Sequence, residues 1–190
     1  MTTLQLEYEL LPINTLLYRG VNMNKPVIPL YNSLYKWFMP DAIYAKIYGN
    51  VIYTYQTTKP LLLIKMNLNN IKYLLHMAES NNRDDVVNAL VTSFNIIDNH
   101  IIRISEYETD ATIMQYLCEN NIQGYIATEL PKNYEATNLF HPEIAICNPS
   151  LYMIELNNET IKTSIPPPVL KKKMVRQYNN SVITKRLFDD

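Results

Sequence analysis

Apolar and polar residues change their spacing several times along the chain, and each change marks an expected element. Residues 15–21, Thr-Leu-Leu-Tyr-Arg-Gly-Val, read as a strand ending at a glycine. Residues 22–34 carry Pro26 and Pro29 among polar residues and read as a loop. Tyr35-Lys-Trp-Phe-Met39 is a short aromatic strand stopped by Pro40. Asp41 is then a good N-cap for a helix over 42–48, with Gly49 as its C-cap. Val51-Ile-Tyr-Thr-Tyr-Gln56 and Leu61-Leu-Leu-Ile-Lys-Met66 are β-rich runs, and Thr57-Thr-Lys-Pro60 between them predicts a hairpin or a sharp connection. From Asn69 to about Ile97 the spacing turns helical, with Val86, Val87, Leu90, Val91 and Phe94 at i, i+3/i+4 intervals and a turn over 80–84. A further helix over 111–119 takes Thr109 or Asp110 as its cap, and residues 125–128 form a short strand. Residues 129–139 are a polar loop. Glu143-Ile-Ala-Ile-Cys147 is a strand closed by Asn148-Pro149, and 150–156 adds one more.

Strands and helices mix without a βαβ rhythm, so the pattern predicts an α+β fold. One domain is expected over residues 1–164. A tail over 165–190, with its Pro-Pro-Pro and Lys171-Lys-Lys173 runs, is expected to wrap the surface or stay mobile. Neither GxGxxG nor GxxxxGK[ST] occurs, which removes Rossmann and P-loop nucleotide sites.

Composition narrows the function classes. A chain of 190 residues with 47% hydrophobic residues has enough material for one full core. A net charge of −1 gives no long-range field to gather nucleic acid non-specifically. No run approaches the ~20 apolar residues that span a bilayer, and the first residues lack the pattern of a signal peptide. A cytoplasmic or otherwise intracellular location without membrane attachment is therefore expected. For such a chain Cys118 and Cys147 are expected as two buried thiols. Neither has the spacing of a zinc site, and no metal is expected. The Asn, Ile, Tyr and Lys bias is that of an AT-rich genome, such as a large DNA virus. Glycine is scarce. The chain has 3, where average usage would give roughly thirteen. Each of Gly20, Gly49 and Gly124 therefore marks a place that needs φ > 0 or close backbone approach.

Four segments, in order, resemble the ADP-ribosyltransferase superfamily. Leu16-Leu-Tyr-Arg-Gly-Val21 resembles the early strand that carries an Arg or His followed by Gly at the floor of an NAD cleft. Trp37-Phe-Met-Pro-Asp41 through Ala45 and Tyr48-Gly49 is similar to the aromatic strand and helix that flank the nicotinamide. Gln123-Gly-Tyr-Ile126 resembles the turn before the last sheet, and Phe140-His-Pro-Glu-Ile-Ala-Ile-Cys-Asn-Pro149 resembles the final strand that opens on the catalytic Glu. In the branch with a His-Tyr-Glu trio, Trp37 stands nearest the middle Tyr. No Ser-Thr-Ser segment of the Arg-Ser-Glu branch is present, Thr57-Thr58 being its nearest counterpart.

The resemblance implies a split β-sandwich, two small sheets around a cleft with flanking helices. It also implies NAD as the substrate. Breaking the bond between nicotinamide and ribose passes through an oxocarbenium-like state, which a carboxylate can stabilise. On this reading Glu143 is that carboxylate. Arg19 binds the phosphates or the adenosine ribose, Gly20 lets the dinucleotide approach, and Trp37, Phe38 and Tyr48 shape the nicotinamide pocket. ADP-ribose would pass to a protein or nucleic-acid acceptor, or to water. The alternative is the same fold as a binding module without turnover, for an ADP-ribose-like ligand, a protein or an RNA end. The residues also have plainer readings: Arg19 as an ion-pair partner, Glu143 as a solvated strand start, and the aromatic groups as core. The expectation that separates these readings is that Arg19, Trp37 and Glu143 converge on one cleft.

Overall fold

Five consecutive buried residues make Glu143–Cys147 a strand covered on both faces. The structure is a computed structural model that describes residues 6–22, 34–46, 48–97, 100–103, 107–127 and 142–160. In chain order its strands are β1 (Tyr8–Leu11), β2 (Leu16–Val21), β3 (Tyr35–Phe38), β4 (Val51–Thr57), β5 (Leu61–Lys65), β6 (Phe94–Ile97), β7 (His100–Arg103), β8 (Gly124–Ala127), β9 (Glu143–Cys147) and β10 (Met153–Thr160). The helices are α1 (Ala42–Ala45), α2 (Leu68–Ser80), α3 (Asp84–Ser93) and α4 (Tyr107–Glu119). The fold is mixed α+β.

One sheet has five strands in the order β1-β5-β8-β9-β3, and a second has three in the order β10-β4-β2. All pairs in these sheets are antiparallel except β5 with β8. Side chains alternate across a strand, and both faces of the larger sheet are used. Leu61, Leu63, Ile126, Ile144, Ile146 and Phe38 pack with Leu17, Tyr55 and Met153 of the smaller sheet. On the opposite face Ile64, Tyr125, Ala145 and Cys147 pack with apolar residues of α2, α3 and α4. The molecule is thus layered as small sheet, large sheet, helices. Paired hydrogen bonds between Tyr18 and Met39, at 2.9 and 2.7 Å, stitch β2 of one sheet to the end of β3 in the other.

Local chemistry explains several ends. The Asp41 side chain accepts from the Ile43 N–H at 2.8 Å and starts α1, and Asn67 does the same for α2 through Asn70. Helix α1 stops at Ala45 rather than running to residue 48, and Gly49 is not its cap. A Cβ on Gly49 would stand 2.0 Å from the Val21 carbonyl carbon, so this glycine is there for close packing on β2. Residues 57–60 form the sharp connection and not a hairpin, because β4 and β5 belong to different sheets. Phe94, placed in a helix by its spacing, opens β6 instead. Thr109 and Asp110 lie inside the first turns of α4, which begins at Tyr107. A 3-10 turn over Pro149–Leu151 comes first, and β10 then runs beyond the expected 150–156.

The two expected thiols are instead a disulfide: Cys118 of α4 is bonded to Cys147 of β9, their Cα atoms 5.5 Å apart. Spacing along the chain was a poor guide here, because the two residues meet only when α4 packs on β9. Most of the expected loop over 22–34, the loop over 129–139, His141 and the tail over 165–190 lie outside the described residues. Among the described residues, no helix is long and apolar enough to cross a membrane. Nor do three or more His, Cys, Asp or Glu gather where they could hold a metal ion.

Candidate functional site

Five of the six residues singled out in the sequence lie in strands, and strand parity sorts them onto different faces. Glu143 opens β9 on the same face as Ala145 and Cys147, which is the face covered by helices. Its residue is 2% exposed, and its carboxylate accepts a hydrogen bond from the Tyr125 hydroxyl. Trp37 packs on the same side, and its Nε1 donates to that hydroxyl at 3.4 Å. Trp37, Tyr125 and Glu143 therefore form one chain of contacts across β3, β9 and β8 on the helix side of the large sheet.

Arg19 belongs to the other side. It shares a face of β2 with Leu17, which is buried between the sheets. Its charge is felt by Lys36 of β3 and by Tyr55 of β4, and Glu155 of β10 acts on both of those groups as well. Lys36 alternates with Tyr35 and Trp37 and so faces the small sheet. Arg19 and Glu143 are therefore on opposite sides of the large sheet, and they do not converge on one cleft.

Phe38 is 0% exposed and packs edge-on to Tyr55 with ring centroids 5.2 Å apart. It is a core residue between the sheets rather than the wall of a nicotinamide pocket. Gly20 is needed for close approach, but the approaching group is the chain itself: a Cβ there would stand 1.7 Å from the Ala45 carbonyl oxygen. That space is filled by α1 and is not open to a dinucleotide. Tyr48, exposed at the surface, sits beside Gly20 on the α1 side of β2.

What the sequence reading missed is the polar cluster around Arg19. Lys36 is only 2% exposed. Burial first, and then the Arg19 guanidinium, press its amine down from an ordinary 10.5 to about 8, while Glu155 pulls it back up. Burial and Glu155 hold the Tyr55 phenol above its usual range. Tyr53 and Tyr55 stack on the same face of β4, centroids 6.5 Å apart. Arg19 and Tyr53 are partly exposed and Glu155 is exposed, so the cluster reaches the surface on their side. The available signal was the alternation in Tyr53-Thr-Tyr55 and a lysine set within an aromatic strand.

Two arrangements result, each with its own chemistry. The cluster between the sheets gathers two cations, two phenols and the Glu155 carboxylate. The Trp37–Tyr125–Glu143 chain presents a buried carboxylate beside an indole. Compared with known proteins, the chain matches no family model, no curated protein and no solved structure.

Proposed function

We propose that this chain is a binding module of ADP-ribosyltransferase-like build that holds an ADP-ribose-like ligand between its two sheets without cleaving NAD. The observation that carries the reading is the separation of Arg19 from Glu143. An anion-binding cation and an oxocarbenium-stabilising carboxylate must act on one dinucleotide, and here a β-sheet lies between them. Arg19 has Lys36 and the Tyr53–Tyr55 pair as neighbours, which is a setting for phosphate and ribose. The layered pair of sheets, joined at Tyr18 and Met39, supports the likeness to a split β-sandwich.

A second reading, NAD cleavage with ADP-ribose passed to an acceptor or to water, is favoured by one observation. Glu143 opens its strand as the resemblance implies, with Trp37, the residue nearest the middle of the trio, one hydroxyl away.

One experiment separates the two. Thermal shifts are measured with ADP-ribose and with NAD, and nicotinamide release from NAD is followed by chromatography. The binding reading expects ADP-ribose to raise Tm, Arg19→Gln to lose that rise, Glu143→Gln to keep it, and no nicotinamide to appear. Nicotinamide release that drops in Glu143→Gln would overturn it in favour of the transferase or glycohydrolase.

A further inference from the structure

Among the described residues, β1 is the outermost strand of the large sheet, at the opposite edge from β3. Its pairing with β5 fixes which of its backbone groups look outward. The Lys65 N–H donates to the Glu7 carbonyl at 3.0 Å, so Glu7, Glu9 and Leu11 are the residues that bond to β5. Tyr8 and Leu10 alternate with them and turn their N–H and C=O groups to the open edge. A row of this kind is matched by another extended chain.

The two flanks of that edge differ. Leu6, Tyr8 and Leu10 share the helix side of the sheet, where Leu6 packs on the helical core. The rest of that flank is bare: Tyr8 is 42% exposed, Leu10 61%, and Leu62, opposite Leu10 on β5, 46%. On the other flank stand Glu7 and Glu9. The neutral amides of Asn67 and Asn69 donate to Glu7. Lys65 is 3.8 Å from Glu9, and both side chains are exposed, so the pair is weak. The edge is thus apolar on one flank and acidic on the other.

A second copy of β1 fits this edge badly. The antiparallel register that uses all the outward groups pairs Tyr8 with Leu10 of the copy and sets Glu9 against its own counterpart. Like charges directly opposite each other destabilise such a pair, whereas a basic residue there is favourable. We propose that β1 is a docking edge for an extended segment of a partner protein in which basic residues alternate with apolar ones, added antiparallel as the next strand of the large sheet. Its apolar side chains cover Tyr8, Leu10 and Leu62, and a basic side chain stands beside Glu9. Backbone hydrogen bonds supply affinity without regard to sequence, and the two flanks supply the choice. The ligand reading is independent of this edge, which lies away from Arg19 and Lys36.

The test uses two synthetic peptides, acetyl-Thr-Val-Lys-Val-Lys-Thr-amide and the same peptide with Glu for both Lys. Binding is followed by NMR titration of the amide signals of the native chain. The Lys peptide is expected to shift the Tyr8 and Leu10 amides and to bind about threefold or more tightly than the Glu peptide. Glu9→Lys should reverse that order. N-methylation of both Val residues removes the amides that would donate to Tyr8 and Leu10, and should lower affinity roughly tenfold or more. Leu10→Pro should do the same, since proline is tolerated at an edge position whose N–H looks outward. The methylated peptide keeps a readout on the native chain if Leu10→Pro does not fold. Undiminished binding of the methylated peptide, an order that Glu9→Lys leaves unchanged, or no binding of either peptide overturns the proposal. Concentration-dependent shifts at Tyr8 and Leu10 without peptide would overturn it in favour of a second copy.

Discussion

A lysine that faces a second cation in a nearly closed space is held there at a cost to the fold. The sign follows from the direction of its shift. An unfolded Lys36 titrates near 10.5 and the folded one near 8, so the unfolded chain binds the proton more tightly. Below about pH 8 the lysine is charged in both states and the fold bears the full penalty. Between about 8 and 10.5 the unfolded state carries the extra proton, and the penalty is relieved as pH rises. Lys36→Met should therefore raise stability at pH 7, by about 1–3 kcal/mol. The gain should shrink towards pH 10. Denaturant melts at the two pH values check this, and equal gains at both would show that burial of the charge is not the cause. Strand parity was legible at this residue, because Lys36 must oppose Tyr35 and Trp37. Which face looked inward was not, since apolar residues cover both faces of β3.

Among the elements, β9 was fully legible, and its bounds match the sequence reading residue for residue. A run with no polar break leaves a strand buried on two faces as the simplest account. Strand β1 was not legible, because it depends on a contact 63 residues away. Asn70 of α2 is 0% exposed and acts as a clamp. Its Oδ1 accepts from the Glu7 N–H at 2.8 Å, and its Nδ2 donates to the carbonyls of Glu7 and Lys65, each at 2.7 Å. One side chain thus continues the β1–β5 ladder where the strands end. Read along the chain, Asn70 is merely one polar residue of an Asn-Asn pair at a helix start. Asn70→Ala should cost about 2–4 kcal/mol, since it removes three hydrogen bonds to part-buried backbone groups. Asn70→Asp should cost as much or more, because a carboxylate cannot donate to two carbonyls. Hydrogen exchange should show β1 opening first in either variant, and unchanged protection of β1 would mean that its pairing with β5 suffices alone.

At the scale of the whole molecule, the candidate site was legible as residues but not as a place. Arg19 and Glu143 were each named from the sequence as residues of one NAD site. Their separation depends on how two sheets and a helical layer stack, which no local pattern records. The same stacking brings Cys118 to Cys147, and the bridge ties the helical layer to the interior strand that begins at Glu143. Closing a loop of 29 residues restricts the unfolded chain enough to contribute about 3–4 kcal/mol in the chain-entropy account. Reduction is a cleaner test than substitution, because both sulfur atoms remain in place and their packing is kept. A dithiol should lower Tm, and mass spectrometry after alkylation should then find two blocked cysteines where the untreated chain has none. If ligand binds only between the sheets, the thermal shift given by ADP-ribose should survive reduction, since that space lies on the other face of β9 from the bridge. Loss of the shift with the fold intact would instead tie the ligand to the helix side, where Trp37, Tyr125 and Glu143 stand.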